Sequence, residues 1–152
     1  MDLQLTTKSQ EALAGAVRRA ATSGQAQVEP LHLLGTLLAQ GSSGDGIATA
    51  VLDKVGADRA TLTREVEQAL DRMPSAMGQT VQSPQLSPAM FRVLQDAESS
   101  ARERGDQFVS TEHLLVGLDK DGGPGVADVL SASGATPEAL VDAISDVRQR
   151  PV

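Results

Sequence analysis

Apolar residues along this chain recur every three or four positions, which is the spacing of one face of an α-helix. Two segments show the pattern most clearly: Leu13, Ala16, Val17 and Ala20 in the first, and Met90, Val93, Leu94, Ala97 and Ala101 in the second. The spacing differs from the strict alternation of a half-buried strand. It predicts an all-α fold in which one stripe of each helix faces the core.

Residues that favour helix ends flank these periodic segments. Thr7 with Gln10 forms a candidate capping box at a first helix start, and three further starts are marked by a residue directly before proline. Those three residues are Glu29, Ser87 and Thr136. The predicted stops are glycines suited to a left-handed C-cap, Gly24, Gly56, Gly105 and Gly134.

The pattern of apolar residues and helix ends occurs twice along the chain. At an offset of 81 positions, residues of the first half meet identical partners in the second: Leu5, Ala16, Ala20, Gly24, Val28, His32, Leu33, Leu34 and Leu37 fall on Leu86, Ala97, Ala101, Gly105, Val109, His113, Leu114, Leu115 and Leu118. Beyond Gln40 the offset becomes 78, because the loop 41–46 is longer than its counterpart. A length change in a loop is tolerated, so the chain is a tandem helical repeat.

The repeat predicts the domain organisation. Repeat one covers 5–70, a Pro- and Gly-containing connector covers 71–85, and repeat two covers 86–150. Each repeat supplies four helices, and about 65 residues bury too little apolar surface to be stable alone. We therefore expect residues 1–152 to form one domain, an eight-helix bundle with a pseudo-twofold axis.

Composition narrows the range of partners and compartments. The formal charge of −7 disfavours nucleic acid, whose phosphates would be repelled. The chain has no cysteine, so it forms no disulfide and no thiolate metal site. The N-terminus lacks the basic and apolar regions of a secretory signal, and there is no apolar run long enough for a membrane span. We therefore expect a cytoplasmic location without membrane contact.

The sequence carries no recognisable reaction chemistry. There is no Gly-Lys pair, which a phosphate-binding loop requires, and no Gly-x-Ser-x-Gly nucleophile motif. Asp119-Lys120-Asp121-Gly122 resembles the start of a calcium loop, but Pro124 stands where the sharp turn needs glycine. We expect neither catalysis nor a cofactor in this chain.

Four titratable residues stand out from the solvated acidic surface. His32 and His113 occupy equivalent positions in leucine-rich helix starts, and two histidines without further ligands do not make a zinc site. We expect both to be packing residues. Asp106 lies in a short connector and Glu112 opens the next helix, where a carboxylate interacts favourably with the helix dipole. From the residues alone, helix capping is the expected role of both carboxylates.

Five segments carry the motifs of a known family. They are Leu5-Thr6-Thr7-Lys8-Ser9-Gln10, Val28-Glu29-Pro30-Leu31-His32-Leu33-Leu34, Leu70-Asp71-Arg72-Met73-Pro74, Arg104-Gly105-Asp106-Gln107-Phe108-Val109-Ser110-Thr111-Glu112-His113 and Gly134-Ala135-Thr136. Together they resemble the double Clp N-terminal repeat, from about Leu3 to Arg150. The first-repeat motif and the connector motif resemble the ClpB type more than ClpC or ClpA.

The resemblance implies a function that the residues alone do not give. In ClpB-type disaggregases this domain is tethered to a hexameric ATP-driven threading ring, where it captures unfolded or aggregated segments. Thr6, Asp106 and Glu112 match motif positions that the family links to substrate engagement, so the resemblance implies the same role for them here. The family's apolar groove is implied along the helix with Leu94, where Phe91, Val93 and Leu94 are candidate exposed contacts. Helical spacing alone instead assigns these residues, and Leu94 above all, to the core. The chain departs from the family because Asp96, Ser100 and His113 stand where some relatives carry leucine, which implies a less apolar groove; His113 is included among the candidate contacts.

Two alternatives remain open at this stage. A protease-linked ClpC or ClpA type would dock folded adaptors or phosphoarginine marks, with Glu112 in the acidic position of repeat two but Leu31 in that of repeat one. A free-standing two-repeat protein would act as an adaptor without any ATPase. In each case we expect the isolated domain to be monomeric, whereas a ClpB-like parent would be hexameric.

Overall fold

The computed structural model describes residues 4–41, 47–73 and 84–149. Helices account for most of this part of the chain, as the apolar periodicity predicted. Eight are described: α1 (Thr7–Thr22), α2 (Pro30–Gly41), α3 (Ile47–Lys54), α4 (Arg59–Asp71), α5 (Pro88–Glu103), α6 (Thr111–Asp121), α7 (Pro124–Ala132) and α8 (Pro137–Gln149).

The helix starts follow the predicted internal repeat. Thr7 and Pro88 are 81 positions apart, as are Pro30 and Thr111, and Arg59 and Pro137 are 78 apart. The two tandem four-helix repeats of the predicted fold class are therefore confirmed. Most of the predicted connector 71–85 and most of the loop 41–46 lie outside the described residues; Asp71 is the last residue of α4.

The two repeats share one hydrophobic core. Within each repeat the first helix packs on the second, α1 on α2 and α5 on α6. The later helices pair across the repeats, with α3 on α8 and α4 on α7. Aliphatic side chains from both halves are fully buried at the centre, among them Leu33, Leu34, Leu114, Leu115 and Ile144. Neither half therefore completes its own core.

Two short extended junctions also cross between the repeats, and the sequence analysis did not predict them. Strand β1 (Gln27–Val28) pairs in parallel with β2 (Gln85–Leu86), and Leu5 forms the equivalent bridge with Val109. Corresponding hydrogen bonds follow each pair: the Ser87 N–H donates to the Val28 carbonyl at 3.2 Å, and the Thr6 N–H donates to the Val109 carbonyl at 3.0 Å. In each repeat, the residues before the first helix thus lie beside the connector that follows the first helix of the other repeat.

Helix caps agree with the sequence at most positions and differ at one. Ser87 caps α5 by accepting the Met90 N–H at 3.1 Å, as expected. The cap of α1 is Thr6 rather than Thr7, and its hydroxyl accepts the Ser9 N–H at 3.2 Å. Gln10 does not complete a capping box, because its side-chain amide donates to the Leu5 carbonyl instead. The predicted C-cap glycines all adopt positive φ.

Candidate functional site

The junction between Leu5 and Val109 places the start of α1 beside the segment that joins α5 to α6. We call this segment, Arg104–Ser110, the α5–α6 connector. The Val109 N–H donates to the Gln4 carbonyl at 2.7 Å, and the Thr6 N–H donates to the Val109 carbonyl at 3.0 Å. Two motifs that are 100 positions apart in sequence, around Thr6 and around Asp106, therefore meet at one end of the bundle.

The connector begins with a tight reversal after α5. Gly105 has φ +74, a left-handed conformation that costs a residue with a Cβ more than it costs glycine. The reversal lets the Asp106 N–H donate to the Ala101 carbonyl at 2.8 Å, which satisfies one of the last acceptors of α5. Two residues later Phe108 projects from the connector and is 48% exposed.

Asp106 forms the strongest polar contacts of this region. Arg148 of α8 donates to both of its carboxylate oxygens, from Nη1 to Oδ2 at 2.6 Å and from Nη2 to Oδ1 at 2.7 Å. His113 donates from Nε2 to Oδ2 at 2.9 Å. The hydrogen bonds from Arg148 in particular lower the pKa of Asp106 to about 2, so this group is ionised under all ordinary conditions. The expected capping role of Asp106 is therefore wrong: its side chain is an ion-pair partner.

His113 is enclosed beneath this ion pair, with 1% of its surface exposed. Its Nδ1 accepts the Ser110 N–H at 2.9 Å, so the ring proton is on Nε2 and is directed at Asp106. His32 repeats the arrangement, with Nδ1 accepting the Glu29 N–H at 2.8 Å and Nε2 facing Gln25. Burial lowers the pKa of His32. The expectation that both histidines are packing residues is confirmed by their burial.

Glu112 lies in the first turn of α6 and is also enclosed, with 3% of its surface exposed. The Ser110 hydroxyl donates to its Oε1, and its Oε2 lies 3.8 Å from Nη1 of Arg148. The α6 dipole favours a carboxylate at this position, as the sequence indicated. The side chain is nevertheless a partner of Arg148 and does not open to solvent.

The structure gathers some of the predicted contact residues and separates others. Thr6, Asp106, Glu112 and His113 surround the α5–α6 connector, whereas Phe91 lies in the first turn of α5, next to the β1–β2 junction. Phe91 is exposed at 48%. Since Glu112 and His113 are buried, a polypeptide arriving from solution does not reach either side chain in this conformation.

The exposure of Val93 and Leu94 that the family resemblance implied is wrong, and the core position that helical spacing indicated is confirmed. Val93 is fully buried and Leu94 is 4% exposed, because this stripe of α5 packs against α6. The helices approach so closely that a Cβ on Gly117 would lie 2.4 Å from the Val93 carbonyl oxygen. Leu94 is therefore a core residue.

Sequence reasoning did not identify two residues of the site, Phe108 and Arg148. A signal for both was present in the internal repeat, where Phe108 falls on Gln27 and Arg148 falls on Leu70. Repeat two has an exposed aromatic ring and a charge at positions where repeat one has neither. Such a difference between equivalent positions indicates a functional role in addition to the fold that the repeats share. Within residues 4–41, 47–73 and 84–149, no group of three or more His, Asp or Glu side chains is arranged to hold a metal ion.

Comparison with known proteins gives a consistent family. Residues 4–133 match the family model of the Clp repeat (R) N-terminal domain. The chaperone protein ClpB of Mycobacterium tuberculosis is 43% identical over 143 residues, which is 94% of this chain and 16% of the relative. The chain thus spans about a sixth of the length of the curated relatives that it matches.

In the part of the chain that the structure describes, no helix is both long and apolar enough to cross a membrane.

Solved structures share the fold. The Hsp104 N-terminal domain from Candida albicans superposes with a TM-score of 0.80 at 18% identity, covering 96% of this chain and 92% of that one. A ClpV N-domain in complex with a VipB peptide gives a TM-score of 0.71 at 20% identity, covering 94% and 88% of the two chains. The family match covers most of the chain, which therefore belongs to the Clp repeat N-terminal domain family and is similar to the N-terminal region of ClpB chaperones.

Proposed function

We propose that this domain captures unfolded or aggregated polypeptide segments and delivers them to an ATP-driven threading ring of the ClpB type. The observation that supports this most directly is the 43% identity to the N-terminal region of a ClpB chaperone along 94% of the chain. We assign no reaction to the domain itself. The threading ATPase would be in other parts of a hexameric cytoplasmic parent, and the isolated domain would be monomeric.

Exposed aromatic rings give such a domain a way to bind many different segments. Phe91 and Phe108 are each 48% exposed, and both lie at junctions between the repeats. Covering one such ring removes on the order of 100 Å² of apolar surface from water and stabilises the complex by about 2–3 kcal/mol. Since association costs at least about 4 kcal/mol and millimolar binding needs about 4 kcal/mol net, the rings must act together with backbone and aliphatic contacts, and the binding stays weak. Weak binding suits a domain that must release each segment.

The experiment that tests the proposal is a titration followed by backbone amide shifts. A permanently unfolded probe, reduced and carboxymethylated α-lactalbumin, is added to the isotope-labelled domain, with the native disulfide-bonded protein as control. We expect shifts concentrated at Thr6 and the α5–α6 connector, with a dissociation constant between micromolar and millimolar. Equal responses to the unfolded and folded probes would contradict capture of non-native segments.

Substitution of each exposed phenylalanine tests whether its ring contacts the unfolded probe. Phe108→Gln introduces the residue that repeat one carries at Gln27, so the fold should accept it. We expect it to weaken binding of the unfolded probe by roughly thirtyfold or more, because the covered ring contributes about 2–3 kcal/mol. Phe91→Gln tests the second junction in the same way. Ala60→Gln, at an exposed apolar residue of α4, is the control and should leave the affinity within about twofold.

The phosphoarginine alternative receives less support from the geometry. A reader of that mark needs a free carboxylate for the guanidinium, but Glu112 is 3% exposed and already faces Arg148. Repeat one offers Leu31 at the equivalent position. Saturable binding of free phosphoarginine at micromolar concentration, lost in Glu112→Gln, would favour that alternative over capture of unfolded chains.

A further inference from the structure

The two repeats share a backbone but differ in the side chains around their first connectors. Both contain the buried histidine whose Nδ1 accepts a backbone N–H three residues earlier. Around that histidine, repeat one is neutral where repeat two is charged, and polar where repeat two is aromatic. The four equivalent pairs are Gln25 and Asp106, Gln27 and Phe108, Leu31 and Glu112, and Leu70 and Arg148.

Arg148 is the residue that joins this charged set. It comes from the last turn of α8, 42 positions beyond Asp106, and its guanidinium binds both oxygens of that carboxylate. The same Nη1 lies 3.8 Å from Glu112. A planar guanidinium with two parallel hydrogen bonds fixes the orientation of its carboxylate partner, as a lysine ammonium would not.

A second arginine, Arg104, attaches the first residue of the connector to the same helix. Arg104 donates from Nη2 to the Val141 carbonyl at 2.8 Å and to the Ser145 hydroxyl at 3.2 Å. Residues 141, 145 and 148 recur at intervals of four and three, so they lie along one face of α8. The connector is therefore attached to α8 at Arg104 and at Asp106, and the exposed ring of Phe108 follows directly after the second attachment.

The carboxylates of this region are occupied by internal contacts. Asp106 accepts from Arg148 at both oxygens and from His113 at one. Glu112 is enclosed. Gln107 and Phe108 are the exposed side chains of the connector, and Phe108 is the apolar one of the two. The charges of Arg104 and Arg148 balance those of the two carboxylates.

We propose that Arg148 is a positioning residue that, through Asp106 and Glu112, fixes the α5–α6 connector so that Phe108 is presented to apolar segments of non-native polypeptide. This inference rests on the proposed function and refines it, because it assigns Asp106 and Glu112 an indirect part. The substrate class is defined by apolar side chains rather than by charge. Binding through this surface should therefore depend little on ionic strength, since the paired charges nearby balance.

The test uses Arg148→Leu, which introduces the residue that repeat one carries at Leu70. We expect amide shifts and faster hydrogen exchange confined to the α5–α6 connector, and a roughly tenfold weaker affinity for carboxymethylated α-lactalbumin. Arg148→Lys keeps the charge without the bidentate geometry and should fall between the wild type and Arg148→Leu. Arg64→Leu, at an exposed arginine of α4, is the matched control and should bind as the wild type does.

A double variant separates positioning from direct contact. If Arg148 acts through Phe108, then Arg148→Leu combined with Phe108→Gln should bind no more weakly than Phe108→Gln alone. Additive losses, or tighter binding by Arg148→Leu than by the wild type, would overturn the inference. Unchanged affinity in Arg148→Leu would overturn the positioning role alone, whereas a wild-type domain that binds no unfolded probe would overturn the proposed function with it.

Discussion

At the scale of single residues, Asp119 is the group least suited to its surroundings. It lies on α6 at 6% exposure, and its Oδ2 has no hydrogen-bond partner among the described residues. Burial, with the nearby Glu138, raises the pKa of Asp119 to about 7. The equivalent residue of repeat one is Leu38, a core residue. Repeat two therefore buries a carboxyl group where repeat one buries a leucine.

This carboxyl should make the stability of the domain depend on pH. An aspartate in an unfolded chain titrates near pH 3.9, so between about pH 4 and pH 7 the folded state binds a proton that the unfolded state has lost. The contribution of Asp119 to the free energy of unfolding therefore falls as pH rises through that window and is constant above it. Asp119→Leu should stabilise the domain by about 2–4 kcal/mol at pH 7.5, and the gain should shrink toward pH 4.5.

Urea denaturation of both proteins at pH 4.5, 6.0 and 7.5 measures this difference. Asp128→Leu, at an exposed carboxylate of α7, serves as the control and should show no comparable trend. A gain from Asp119→Leu that stays constant across the three pH values would show that the carboxyl is ionised throughout, contrary to the expectation.

At the scale of helices, the close approach of α5 and α6 explains why Leu94 is unavailable as a contact. Gly117 has no side chain at the crossing, and a Cβ there would lie 2.4 Å from the Val93 carbonyl oxygen. Backbone atoms cannot move aside as a flexible side chain could. The burial of Val93 and Leu94 thus depends on a glycine of a different helix.

Gly117→Ala should separate the two helices. We expect a loss of about 1–3 kcal/mol in the free energy of unfolding from overpacking, which outweighs the gain of up to about 1 kcal/mol from the better helix propensity of alanine. Gly125→Ala on α7 is the matched control, because its Cβ would meet only Leu31 Cδ1 at 3.8 Å. The change in the free energy of unfolding, measured by heat or urea, should be a loss for Gly117→Ala and a small gain for Gly125→Ala. Equal changes in the two variants would contradict the close contact between α5 and α6.

At the scale of the whole molecule, the repeats depend on each other. The pairs α3 with α8 and α4 with α7, and the junctions of β1 with β2 and of Leu5 with Val109, all cross between the halves. A single repeat would expose the apolar faces that its partner covers. The site shares this dependence, since Thr6 of the first repeat contacts the connector of the second.

Residues 84–152 expressed alone should therefore lack a fixed tertiary structure. We expect poorly dispersed amide signals and no cooperative thermal transition, because about 65 residues without their partner bury too little apolar surface. Addition of residues 1–83 should restore dispersion if the crossed packing forms between separate chains. A dispersed spectrum and cooperative unfolding of the single repeat would contradict this account.

The helices, their glycine stops and the duplication could all be predicted from local features of the sequence. These features depend on local backbone chemistry and on a 3.6-residue period, which can be recognised without knowing the partner. The sequence also placed Thr6, Asp106 and Glu112 in the region of interest, through motifs typical of a family. Each of these inferences uses information that lies within one helix, one turn or one repeat.

Which side chains face solvent and which charges pair depends on the packing of helices that are distant in sequence. Asp106 and Arg148 are 42 positions apart, and the burial of Leu94 depends on how closely α6 approaches α5. Apolar spacing predicts which face of a helix is buried, but it does not predict how completely each side chain on that face is covered. The positions of charged residues likewise do not show which of them form ion pairs across long sequence distances. Local sequence thus specifies the helices of each repeat, whereas the packing between the two repeats determines which side chains are exposed for binding.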